Sequence, residues 1–287
     1  MKVIGFYINL MALVIPRYAE RFGLALFCRP FRGKMTPKQI AFLHSATRFS
    51  FDFQKETLAG YRWGSGSKKI LLVHGWQSHT YRWKAYVEQF LKHDCTVFAF
   101  DAPGHGLSTG KFLSVPLYGE AIEKMIKEVG KPDVIISHSI GGFSSLYALH
   151  HNPLLSPDKL VVMAAPGEAV EFFDFYKTSL SLSQRSVDLI VNRFKELFIY
   201  GPEYFSSPKF ATTIQTSGLI IHDEEDDETS VDHSRRVHAQ WSNSKLLITK
   251  GFGHNLKSVE VVKEVIKFIE VVPLYPDISA VSSLQNV

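Results

Sequence analysis

Val134-Ile135-Ile136-Ser137-His138-Ser139-Ile140-Gly141-Gly142 is the stretch on which the reading of this chain turns. The apolar run Val134–Ser137 has the length of a strand, and Gly141–His150 reads as a helix. Between them lies a sharp turn with a serine at its centre and small residues on both sides. Such a turn is strained, and bulky flanks would collide with the strand before it or the helix after it. Ser137 stands where Gly is usual; it is the next size up and tolerable. Ser139 also gains from the positive end of the helix dipole. The competing reading is a tight turn carrying an incidental serine, and the rest of the chain decides between the two.

Working outward, strands and helices alternate. Phe49, Phe51 and Phe53 alternate with polar residues, and Thr57–Trp63 follows as a second strand after a short turn. Ile70–Val73 is apolar throughout, as expected of a strand buried on both faces of a parallel sheet. Then come helix Tyr81–Leu91, strand Thr96–Phe100, helix Leu117–Val129, the quoted unit and strand Leu160–Ala164. Residues 167–210 interrupt this rhythm with a helical, aromatic-rich stretch. It resumes with strand Gly218–His222, helix Asp232–Trp241, strand Lys245–Thr249 and helix Leu256–Val271, which Pro273 ends. The fold class is therefore α/β: a mostly parallel, doubly wound sheet with helices on both faces.

Three other segments support Ser139. His74-Gly75-Trp76 follows the first buried strand. Gly75 lets the chain turn so that the N–H of Trp76 faces the sheet edge. With the N–H of Ile140 it would form an oxyanion hole, one donor of which is worth about 3 kcal/mol in a transition state. His74, Gly75 and Gly141 are the supporting turn residues. Asp101-Ala102-Pro103-Gly104-His105-Gly106 reads as a structural turn without chemistry. Phe252-Gly253-His254-Asn255 follows the last strand, from which His254 could reach Ser139. An acid must hold the imidazole in one tautomer. The run Asp223–Glu228 offers several, with Asp232 a seventh candidate. Asp226, one turn past the strand end, is the choice, with Asp223 or Asp227 as alternatives. The others read as a solvated acidic loop. The order Ser, Asp, His is the one this architecture uses.

Composition narrows the classes. The 287 residues are 45% hydrophobic and 21% charged, as in an ordinary folded protein. At about 150 residues per domain the length allows two units, or one domain with an insertion. The net charge of +4 is mild and no Lys/Arg run exceeds two residues, so no nucleic-acid partner is expected. Two cysteines, Cys28 and Cys95, exclude a disulfide framework and lean towards a reducing, cytoplasmic setting. No metal-ligand spacing and no phosphate loop appear, so no metal or cofactor is expected. The apolar stretch Val3–Ile15, interrupted by Asn9 and ended by Pro16, is too short for a bilayer, which takes about 20 residues. It reads as part of a helical arm packed on the domain. An interfacial membrane anchor and a cleaved export signal are the alternatives. Thr36-Pro37 would cap and start a second helical segment after a basic loop at 29–34.

With Ser139, His254, His74-Gly75 and Asp101–Gly106 in place, residues 49–271 resemble the α/β-hydrolase superfamily. Within it they are similar to a bacterial group that carries Tyr-Arg-Trp-Gly (61–64), Leu-Val-His-Gly-Trp (72–76), His-Asp-x-x-Asp-x-Glu (222–228) and Gly-x-Gly-His (251–254). Ser137 for Gly and Thr229 for the usual Val are the departures. The resemblance implies the α/β-hydrolase fold, Asp226 as the acid, and a serine hydrolase with a cap. The expected organisation, in which the resemblance supplies the cap, is an N-terminal helical arm (1–47), a core in two parts (48–166 and 211–272), a helical cap insertion (167–210) and a tail (273–287). The expected activity is hydrolysis of a small-molecule carboxylic ester, with the aromatic insertion pointing to an apolar substrate. Amidase or aminopeptidase-like action, lysophospholipase or monoacylglycerol lipase action, and a non-catalytic binding protein of the same fold are the alternatives.

Overall fold

The computed structural model describes residues 2–270. The expected tail at 273–287 and the expected stop at Pro273 lie outside them. Eight strands form one sheet: Thr47–Phe53 (β1), Glu56–Trp63 (β2), Lys68–Val73 (β3), Cys95–Phe100 (β4), Val134–His138 (β5), Lys159–Met163 (β6), Ser217–Asp223 (β7) and Ser244–Thr249 (β8). Their spatial order is β1-β2-β4-β3-β5-β6-β7-β8. The first two strands form a hairpin and β2 runs antiparallel to β4; every pairing from β4 to β8 is parallel. The all-apolar run of β3 lies at the middle of this sheet, and Ile70–Val73 are fully buried.

The helices are Lys2–Val14 (α1), Pro16–Phe27 (α2), Pro37–His44 (α3), Lys84–Phe90 (α4), Val115–Val129 (α5), Ile140–His151 (α6), Ala169–Leu180 (α7), Gln184–Phe198 (α8), Ser207–Ala211 (α9), Val231–Gln240 (α10) and Val259–Ile269 (α11). One face of the sheet packs against α3, α4 and α11. The other packs against α5, α6 and α10, and its apolar layer continues into α1, α2, α7 and α8. From β3 the chain crosses to β4 on one side, then returns past β3 to β5 on the other. That reversal opens a crevice at the C-terminal ends of β3 and β5. His74 and Ser139 follow those two ends.

The N-terminal stretch forms three helices rather than two. Pro16 has no N–H to give the carbonyl of Ala12, and it forces Ile15 out of helical geometry (φ −136°, ψ 72°). The freed Ala12 carbonyl accepts from Arg185 Nε at 2.9 Å. Asn9, the polar break in the apolar run, binds the start of α8. Its Oδ1 accepts from Ser183 N–H and Ser186 Oγ, both at 2.8 Å. Thr36 caps α3 in a reciprocal box with Gln39. Tyr81–Leu91 begins as a 3₁₀ turn at Thr80–Trp83 before α4. The last helix starts at Val259, capped by Ser258, and leaves Leu256 and Lys257 in the loop. Among the described residues no helix is long and apolar enough to cross a membrane.

Candidate active site

Ser139 sits between β5 and α6 at φ 54°, ψ −128°. That left-handed conformation costs a non-glycine residue on the order of 1–3 kcal/mol and needs support. Ser139 N–H donates to Met163 O at 2.8 Å, and Ser139 O accepts from Gly142 N–H at 2.8 Å. The supporting residues must be small. A Cβ on Gly141 would lie 2.4 Å from His74 O, and one on Gly75 would lie 2.9 Å from Ser139 Cβ. Ser137, the departure from glycine, turns its hydroxyl into the sheet and donates to Val161 O at 3.0 Å.

His254, on the loop after β8, lies 115 residues from Ser139 in sequence and 3.0 Å from it in space, Nε2 to Oγ. Its Nδ1 is 2.8 Å from Asp226 Oδ2. A carboxylate only accepts, so Nδ1 carries the proton and Nε2 is free to accept from the serine hydroxyl. Asp226 has a fully buried side chain. Glu228 and Thr229 N–H donate to its Oδ1, both at 2.9 Å. Thr229 Oγ1 donates to Oδ2 at 3.0 Å, and His222 Nε2 lies 3.1 Å from it. Burial pushes this carboxyl up, but the bonds from His222, His254 and Thr229 outweigh that and hold it well below the usual carboxylate range. Asp223, the alternative acid, faces elsewhere. It accepts from Thr249 Oγ1 at 2.8 Å and Phe252 N–H at 3.0 Å, bracing the loop that carries His254. Asp227 is exposed.

Two neutral imidazoles shape the loop after β3. His74 Nε2 accepts from Ala102 N–H at 3.0 Å, so Nδ1 carries the proton that Gly75 O accepts at 2.7 Å. His105 does the same between Gln77 N–H at 3.1 Å and Pro103 O at 3.0 Å. Burial pulls His74 down to about 3 and His105 to about 4. Asp101, read as purely structural, is fully buried. It accepts from Tyr61 Oη and Thr80 N–H at 2.8 Å and from Leu107 N–H at 2.9 Å. Among the described residues the N–H groups of Trp76 and Ile140 have no acceptor. They border the crevice in which Ser139 stands.

A cavity of about 550 Å³ opens over Ser139 and His254. Its wall is polar, with His79, Arg82, Glu228, Asn255 and Lys257 alongside Trp76 and Tyr81. No residue of 167–210 is in that wall. The aromatics of the insertion pack instead on one another and on the arm: Phe173 against Phe27 and Phe194, Phe194 against Phe205. The expected apolar substrate therefore loses the feature it rested on.

Residues 70–255 match the family described as the Alpha/beta hydrolase family. The chain belongs to that family. The hydrolase is 30% identical over 148 residues to the pimeloyl-acyl-carrier-protein methyl ester esterase of Xylella fastidiosa, covering 48% of this chain and 55% of that protein. It thus spans about half the length of that relative. It is 23% identical over 258 residues to a bifunctional esterase/perhydrolase of Acinetobacter calcoaceticus, covering 72% of this chain and 94% of that one. Among solved structures it resembles an esterase of Pyrococcus furiosus (TM-score 0.60, 19% identity, 84% and 96% covered). It also resembles a membrane phospholipase A described as a bacterial virulence factor (TM-score 0.64, 14% identity, 94% and 98% covered). These two likenesses concern the fold.

The Ser, His and acid positions were readable because each sits in a short local pattern at a strand end. Nothing in the sequence alone gives His222, His138 or Thr229 a part in the site. His222 Nε2 also faces Thr229 O at 2.9 Å, and His138 Nε2 donates to His254 O at 2.8 Å. The only signal for His222 was its place in the acidic motif, and for His138 its place beside the serine.

Proposed function

We propose that this hydrolase cleaves carboxylic esters through an acyl-enzyme on Ser139. The observation that carries the reading is the unbroken hydrogen-bonded line from Ser139 Oγ through His254 to Asp226. His254 Nε2 takes the serine proton as Oγ attacks the acyl carbon, then returns it to the leaving alkoxide. Water repeats the sequence in reverse roles to release the acid. Asp226 fixes the tautomer and stabilises the imidazolium. The N–H groups of Trp76 and Ile140 receive the oxyanion. Ester rather than amide cleavage is favoured by the names of the two relatives, both esterases.

Fluorophosphonate labelling of wild type and Ser139→Ala, beside hydrolysis of p-nitrophenyl esters, tests this. Labelling and turnover in wild type, both lost in the variant, are expected. A folded wild type that neither labels nor turns over any ester would sink the reading.

A second reading, cleavage of lysophospholipid or monoacylglycerol esters at a lipid surface, is favoured by α1. Its outer face is apolar along its whole length, with Val3 81%, Phe6 68%, Leu13 67% and Val14 65% exposed. Monomeric surfaces rarely leave such a patch uncovered. The helix carries no acidic residue, and Lys2, Arg17 and Arg21 around it are exposed cations suited to an anionic bilayer.

A further inference from the structure

The cavity over Ser139 contains a cation with no counter-ion among the described residues. Arg82 lies on the 3₁₀ turn that follows the loop after β3. Its Nη2 donates to Asn255 O at 3.1 Å, and its guanidinium lies 5.0 Å from the centre of the Trp83 ring. Among the described residues its Nε is buried without an acceptor. Among the described residues no carboxylate lies within ion-pair distance of it, although ion pairs are common elsewhere on the surface. Burial pulls its pKa down to about 10. Arg82 is half-buried; a partly desolvated charge gains from a partner, and an arginine holds five donors in a fork shaped for an oxyacid.

The same wall carries further unmet donors and charges. Among the described residues the Nδ1 atom of His79 is buried and unpartnered. Lys257 stands exposed at the rim without an ion pair among the described residues. Among the described residues the one acidic side chain of the wall is Glu228, which is 63% exposed and 3.7 Å from His254 Nε2. Asn255 O accepts from Nη2, while Nε, among the described residues, is buried without a partner.

We propose that Arg82, with Lys257 and the ring of His79, receives an anionic oxyacid group carried by the ester substrate, a carboxylate or a phosphodiester. This deepens the esterase reading and rests on it. The ester presents its carbonyl to Ser139 while its charged end completes the guanidinium's hydrogen bonds. Binding needs no added metal or cofactor, since the charge that neutralises the anion is already in the wall.

The test uses two substrate pairs that differ chiefly in the anion, on the full chain at low ionic strength. One is p-nitrophenyl hydrogen glutarate against p-nitrophenyl pentanoate; the other is oleoyl lysophosphatidylglycerol against monooleoylglycerol. Wild type is expected to favour the anionic member of one pair in kcat/KM by about ten-fold or more. The pair showing the preference identifies the source of the anion. The preference should fall as salt rises. It should collapse towards parity in Arg82→Gln and survive in large part in Arg82→Lys, an outcome that a merely structural arginine would not give. Lys257→Gln, at an exposed position, carries the same test if the Arg82 variants fail to fold, by a smaller preference and a flatter salt dependence. Ser139-dependent hydrolysis with no preference in either pair overturns the proposal while leaving the esterase reading standing. So does a preference that survives both Arg82→Gln and Lys257→Gln. If no ester is turned over, the esterase reading fails separately. Glutarate and glycerol phosphate titrations followed by tryptophan fluorescence then decide the anion site: saturable quenching lost in Arg82→Gln keeps it, and no response abolishes it.

Discussion

Thr229, expected from the resemblance to be a departure from Val, adds a hydroxyl donor to Asp226 at 3.0 Å. The acid already accepts from His222, His254 and two backbone N–H groups, so this donor is one of five. Thr229→Val is therefore expected to keep the fold and lower kcat by less than about ten-fold, the worth of one hydrogen bond among several. Asp226→Asn reverses the polarity at Nδ1 and favours the wrong tautomer. A loss in kcat on the order of 10⁴ is expected, with thermal stability the check that the protein still folds. Comparable rates for the two variants would mean that the acid does not act through His254. The three principal side chains were legible because a strained serine turn, a Gly-His loop and an acidic strand end each announce themselves locally. Arg82, His138 and His222 did not. Their significance lies in what is absent or opposite in space, such as a missing counter-ion or a carbonyl 116 residues away, and no window of sequence displays that.

At the scale of elements, the period-two and all-apolar runs located all eight strands, with ends shifted by one or two residues. The helices were less exact where a proline or cap decided the boundary. Pro16 split one expected segment, and Ser258 delayed α11. The insertion's aromatics were visible as a cluster, but not which neighbour they served. They pack on the arm, because α1 and α2 need a partner for Ile8, Ala12 and Leu24, all at or near full burial. Among the described residues the outer face of α1 has no such partner. Phe6→Ser/Leu13→Ser should leave p-nitrophenyl ester hydrolysis unchanged and reduce sedimentation with phosphatidylglycerol vesicles. Wild type that stays in the supernatant with those vesicles would remove the lipid-surface reading.

For the whole molecule, the buried neutral histidines set the behaviour in acid. His74, His105 and His138 are all held below the ordinary imidazole value, mainly by burial, His138 with help from Arg82. In the unfolded chain each binds a proton near pH 6.5, whereas the folded chain resists until much lower. Between those limits the unfolded state holds more protons, so stability falls as pH drops. The slope approaches about 1.4 kcal/mol per pH unit for each histidine. Asp226 adds to this lower down: its contribution is present above about pH 3.9, the unfolded value, and is lost as pH falls through its depressed folded one. A urea midpoint that declines steadily from about pH 7 to about pH 5, at constant m, is the expected outcome. A flat midpoint would mean that these rings charge inside the folded protein. The way α1 is fastened has a mechanical meaning as well. Asn9 holds the first turn of α8, and Arg185 of α8 holds the carbonyl that Pro16 left free. Were the outer face of α1 lodged in a bilayer, drag on the protein would pass along those bonds into the insertion before reaching the sheet. The strained serine turn would sit on the unloaded side of the linkage, and the membrane could tug at its passenger without disturbing it.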